Sequence, residues 1–140
     1  MERKEFIKKS CTFCLAIGAG FMLTELAACA HLPVFKAEVK DNKIAIPLAM
    51  FAETKLQIIS TKGLEYDIAV RKEKDNTYTA LLMRCTHADN QLLSTGSGFT
   101  CSLHGSAYDQ EGAVTHGPAE TPMKQYKTTL TDTDIIITVS

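Results

Sequence analysis

Cys85-Thr86-His87 and Cys101-Ser102-Leu103-His104-Gly105-Ser106 are the stretches on which the reading of this chain turns. Each holds one thiol and one imidazole, and residues 88–100 separate them. A structural zinc site commonly draws a Cys pair from one segment and a His pair from another. Here each segment is mixed. Mixed boxes suit a centre with two unlike metal positions, each loop spanning it with its Cys on one metal and its His on the other. A single zinc ion held by the same four residues is the structural alternative, for which C-x-H with C-x-x-H is poor spacing.

Composition bounds what surrounds these boxes. A chain of 140 residues has room for one domain and a targeting segment. With 45% hydrophobic and 22% charged residues it is ordinary globular material. Trp is absent and aromatics make up only 7%, so Ile, Leu, Val and Ala must fill the core. The net charge is −1, with no basic run beyond the N-terminus, which argues against a nucleic-acid partner. Of the five cysteines, Cys85 and Cys101 lie in the boxes, while Cys11, Cys14 and Cys29 belong to the N-terminal stretch. No even set is left for a disulfide framework.

Residues 1–28 read as an export signal to be kept apart from the fold. A charged start through Lys8-Lys9 precedes the almost uninterrupted apolar run Cys11–Leu23. A bilayer-spanning helix needs about 20 such residues, so the run suits a signal better than an uncleaved anchor. Leu26-Ala27-Ala28-Cys29 resembles a bacterial lipobox, which implies Cys29 as the acylated new N-terminus. The front resembles a twin-arginine signal in which Lys4 replaces the second Arg. Residues 29–40 are then anchor and spacer, and residues 41–140 the domain.

Within that domain Lys43–Pro47 alternates at period two, and Leu56–Ser60 and Tyr66–Val70 are short β-like runs parted by a turn at Lys62-Gly63. Thr77–Arg84 is an alternating strand that delivers Cys85. Ser106–Tyr108 and Ala113–Thr115 flank a hairpin turn at Gln110-Glu111-Gly112. Lys124–Leu130 and Ile135–Val139 end the chain, and Leu48–Lys55 fits either a helical turn or a loop. No stretch after residue 31 has a 3.6-residue period. Short strands at regular spacing predict an antiparallel all-β domain, sandwich- or barrel-like.

Beside the boxes stand Tyr78-Thr79-Ala80-Leu81 before the first, Tyr108-Asp109-x-x-Gly112 after the second, and Gly117-Pro118-Ala119 beyond. Together these resemble the Rieske iron–sulfur family. The resemblance implies an all-β fold with an inserted cluster-binding subdomain and one [2Fe–2S] cluster per chain. It places Cys85 and Cys101 on an inner iron and His87 and His104 on an outer iron near the surface. Imidazole ligands lift such clusters to roughly −150 to +300 mV, against about −400 mV for plant-type clusters held by Cys alone. Ser106 and Tyr108 stand where high-potential members place hydroxyl donors. Quinol-oxidising members also pin their two loops with a disulfide, and those positions here are Asn90 and Leu103.

The expected function is one-electron transfer as a respiratory component, with a cytochrome or quinol-oxidising complex as partner. The expected location is the bacterial envelope, membrane-anchored through Cys29 and facing the periplasm. The alternatives are a ferredoxin-like donor to an oxygenase, which the missing disulfide favours, and a structural zinc lipoprotein. His116 is read as a solvated loop residue, and Cys11 and Cys14 as apolar residues of the signal.

Overall fold

Lys43-Ile44-Ala45-Ile46-Pro47 buries every second side chain, leaving Ile44 and Ile46 without solvent contact and their neighbours exposed. Ile135 and Ile137 do the same on the strand beside it. Each such side chain contributes about 1.5–3 kcal/mol by leaving water. This one-sided pattern holds over half of the main sheet. The other half is apolar on both faces, and that difference seats the functional site.

A computed structural model describes residues 32–140; the stretch read as an export signal, and Cys29, lie outside the described residues. The strands in chain order are β1 (Val34–Ala37), β2 (Lys43–Pro47), β3 (Leu56–Thr61), β4 (Ile68–Lys72), β5 (Tyr78–Leu82), β6 (Leu93–Ser94), β7 (Gly98–Thr100), β8 (Ala107–Asp109), β9 (Val114–His116), β10 (Gln125–Leu130) and β11 (Asp134–Thr138). Leu48–Phe51 makes a single 3₁₀ turn, which settles the ambiguous stretch after β2. Among the described residues there is no α-helix. The predicted all-β class therefore holds.

Seven strands form one sheet in the order β1-β3-β4-β5-β10-β11-β2. Its outer strands β1 and β2 meet at a tight turn, where Lys40 and Lys43 exchange both backbone hydrogen bonds across Asp41 and Asn42. Both turn residues have positive φ (49° and 58°), the backbone of a type I′ hairpin. The sheet is thus nearly closed into a barrel. β1 corrects two expectations: it forms within the stretch read as a spacer, and it runs parallel to β3.

Four short strands, β6-β7-β8-β9, make the second sheet. β6 and β7 lie in the segment between the boxes, where no strand was predicted, because runs this short show no period. The two sheets account for two apolar clusters. Ile59, Ile68, Val70 and Ala80 point into the barrel with Ile44, Ile46, Ile135 and Ile137. Ile58, Ala69 and Leu81, on the opposite faces of β3, β4 and β5, pack with Met83, Leu92, Phe99, Tyr108 and both box cysteines. The small sheet therefore sits on β3–β5, and strands covered on both faces read as continuous apolar runs. Arg71 on β4 ties the two parts, donating to Gln110 at 2.7 Å and Glu111 at 2.6 Å in the β8–β9 turn.

Candidate metal centre

The two boxes become two loops with the same backbone frame. In the first, Cys85 N–H donates to the Asn90 carbonyl at 2.8 Å and Asp89 N–H to the Cys85 carbonyl at 3.1 Å. In the second, Cys101 N–H donates to Ser106 at 2.8 Å and Gly105 N–H to Cys101 at 3.1 Å. The fourth residue after each cysteine is left-handed, Asp89 at φ 46° and Gly105 at φ 78°. Asp is among the few side-chain-bearing residues that enter this region readily, and Gly does so freely. The frames match, but the histidine does not: it lies two residues after Cys85 and three after Cys101.

These frames sort the four side chains by depth. Cys85 and Cys101 are 0% and 2% exposed, inside the apolar layer between the sheets. His87 and His104 are exposed, their ring centroids 5.1 Å apart and their planes at 86°. Among the described residues no three His, Cys, Asp or Glu side chains converge as ligands of one ion do. Both cysteines are unbridged thiols. The arrangement is a buried thiol pair below an exposed imidazole pair.

Donors surround the thiols. Burial pushes the Cys85 thiol up, but the backbone N–H groups of Ala88 and His87, the Tyr108 phenol and the Cys101 thiol outweigh it, and its pKa falls to about 7. The site favours thiolate, the form that binds metal. Tyr108 O–H lies 3.7 Å from Cys85 Sγ. Burial raises the pKa of this phenol, so it stays a proton donor. Thr86 N–H donates to the same oxygen at 3.0 Å, and Thr86 Oγ1 contacts it at 2.9 Å. The Thr86 proton goes instead to the Thr121 carbonyl at 2.7 Å. One phenol proton thus faces two acceptors, the Thr86 oxygen and the Cys85 sulfur.

The segment Gly117–Thr121 forms a third wall. Ala119 N–H donates to Ser106 Oγ at 3.0 Å, and Thr121 holds Thr86. Ser106 is fully buried, and its own O–H has no acceptor among the described residues. Sequence reasoning singled out Cys85, His87, Cys101, His104, Ser106 and Tyr108, and the fold brings all six to one end. It missed Thr86, Asn90 and Thr121, whose parts depend on which backbone comes near. It also missed the support of the first loop, where Tyr66 O–H donates to the Asp89 carbonyl at 2.6 Å and Arg84 pairs with the Asp89 carboxylate. His116 is exposed, as read, but it ends strand β9 and does not lie in a loop.

A buried thiol pair, an exposed imidazole pair and a buried hydroxyl with a free proton fit a two-metal cluster whose two ends differ in polarity. The Rieske [2Fe-2S] domain family matches residues 47–127, more than half of the chain. The chain belongs to the Rieske [2Fe–2S] family. It therefore carries one [2Fe–2S] cluster, and the zinc reading falls.

This Rieske chain is 31% identical over 64 residues to the cytochrome b6-f complex iron-sulfur subunit of Chlorobaculum tepidum, covering 44% of this chain and 35% of that one. It is 27% identical over 111 residues to the subunit of the same name from Gloeobacter violaceus, covering 72% and 59%. The chain thus spans from about a third to well over half of these relatives' length. In fold it is similar to the cyanobacterial plasma membrane Rieske protein PetC3 from Synechocystis PCC 6803, with a TM-score of 0.54, 21% identity, and 65% and 93% of the two chains covered. A chain from the complex of reduced oxygenase and oxidised ferredoxin in carbazole 1,9a-dioxygenase is similar at a TM-score of 0.52 and 15% identity, covering 71% and 94%. The Rieske fold is thus shared by proteins of quite different setting.

Proposed function

We propose that this protein is a membrane-anchored, periplasm-facing electron carrier of the respiratory type, passing single electrons to or from a cytochrome or quinol-oxidising complex. In this reading residues 1–28 are a lipoprotein signal, Cys29 is the acylated anchor with a few residues of spacer after it, and the folded unit from Leu32 on, β1 included, is the working domain. Cys85 and Cys101 would hold the inner iron, and His87 and His104 the outer one. When bound, the cluster supplies a one-electron couple. The protein's part is to bury the thiolate end, expose the imidazole edge to a partner, and aim hydroxyl donors at the sulfurs. Donors stabilise negative charge, which reduction increases, so they raise the potential.

The observation that carries the respiratory reading is the hydroxyl pair, Tyr108 O–H at 3.7 Å from Cys85 Sγ and Ser106 with its free proton. The names of the two cytochrome b6-f relatives support the same direction. A second reading, a ferredoxin-like donor to an oxygenase, is favoured by Asn90 and Leu103, which leave the loops without a disulfide. Iron analysis with electron paramagnetic resonance and a redox titration of the purified protein separates them. Two irons, a Rieske signal and a clearly positive potential are expected. A midpoint near −150 mV would shift the assignment to the oxygenase role.

A further inference from the structure

Asn90 belongs to one loop by its backbone and to the other by its side chain. Its carbonyl closes the first loop on Cys85 N–H. Its amide nitrogen lies 3.7 Å from Cys101 Sγ and 3.5 Å from Ser102 Oγ in the second loop, and 3.2 Å from the Gln91 carbonyl. That nitrogen carries two N–H donors, enough for the local carbonyl and for the opposite loop together. The contact to Cys101 has a counterpart. Tyr108, which follows the second loop, lies 3.7 Å from Cys85 in the first. Each buried thiol thus has a polar side chain beyond the thiol pair reaching it from the opposite hairpin.

We propose that Asn90 is a positioning residue that ties the two loops without a covalent bond and stabilises the Cys101 thiolate. The proposal rests on the ligand set given under the proposed function. An N–H aimed at an anionic acceptor is about twice as strong as a neutral hydrogen bond. It favours the more negative, reduced state, so Asn90 raises the potential from the Cys101 side as Tyr108 does from the Cys85 side. Leu103 takes no part: its side chain is 56% exposed, and the tie falls on Cys101 and Ser102 instead.

The test uses full-length protein carrying Asn90→Ala or Asn90→Asp, with Asn90→Gln as the conservative variant. Redox titration by paramagnetic resonance should show both amide-free variants titrating lower, by several-fold in the one-electron equilibrium, with Asn90→Asp lowest. Resonance Raman should show the Fe–S(Cys) stretch at higher frequency, since a thiolate relieved of its donor bonds iron more strongly. A merely structural role moves neither readout. Wild-type potential and stretch in either iron-loaded variant overturn the proposal. If both variants shed iron, loading restored by Asn90→Gln supports it and failure of that rescue overturns it. A Rieske signal retained in Cys101→Ala would instead sink the ligand set itself.

Discussion

Ser106 is fully buried and accepts the Ala119 N–H, so its hydroxyl has committed its oxygen and kept its proton. A buried donor without an acceptor costs about 1–3 kcal/mol, which a sulfide of the bound cluster would relieve. Ser106→Ala removes the donor without leaving a hole larger than one oxygen. The cluster should be retained while the midpoint falls by about 65–130 mV, taking ~1.5–3 kcal/mol for a hydrogen bond to a charged acceptor and 59 mV per tenfold. Redox titration of the purified variant checks it, and an unchanged midpoint would refute the assignment of this hydroxyl. At this scale the site was legible where chemistry resides in residue type: thiol, imidazole and hydroxyl announce themselves. Asn90 and Thr86 did not, because an amide or a hydroxyl acquires its role only from the loop that folds against it. For Asn90 the sequence shows an absent cysteine, not the amide's reach.

Elements with a clear period were read nearly in place. Lys43–Pro47 matches β2, and the predicted run at 124–130 differs from β10 by one residue. Leu56–Ser60 and Tyr66–Val70 are displaced by one or two residues at their ends in β3 and β4, because both strands are buried on two faces and alternation no longer marks a boundary. β7 shows what the missed strands do. Gly98 pairs with Asp109, and a Cβ there would stand 2.1 Å from the Tyr108 carbonyl oxygen. That neighbour is backbone and cannot step aside. Gly98→Ala should therefore cost about 3 kcal/mol in urea unfolding, the upper end for overpacking, and should disturb Tyr108 and the midpoint with it. Gly105 has open space around its missing Cβ and only its positive φ to defend. Gly105→Ala should cost about 1–2 kcal/mol. Equal losses in the two variants would mean that β7 does not need so close an approach.

At the scale of the whole molecule, the folded unit Leu32–Ser140 supplies its own cores, and among its residues no helix is long and apolar enough to cross a membrane. The proposed attachment lies in the residues before that unit. The lipobox-like Leu26-Ala27-Ala28-Cys29 puts a thiol three residues ahead of that unit. Acyl chains on it would each add ~0.8 kcal/mol per buried methylene, and more than one chain is needed for lasting attachment. Cys29→Ser removes the acceptor thiol while leaving every side chain of the two apolar clusters in place. The variant should move from the membrane to the soluble fraction of cells expressing it, with iron content, paramagnetic signal and midpoint unchanged. Mass spectrometry of the wild type should find the chain starting at a lipid-modified Cys29. A variant that stays in the membrane with Met1 intact would show instead that Cys11–Leu23 is kept as an anchor, and the domain would then be tethered through protein, not lipid.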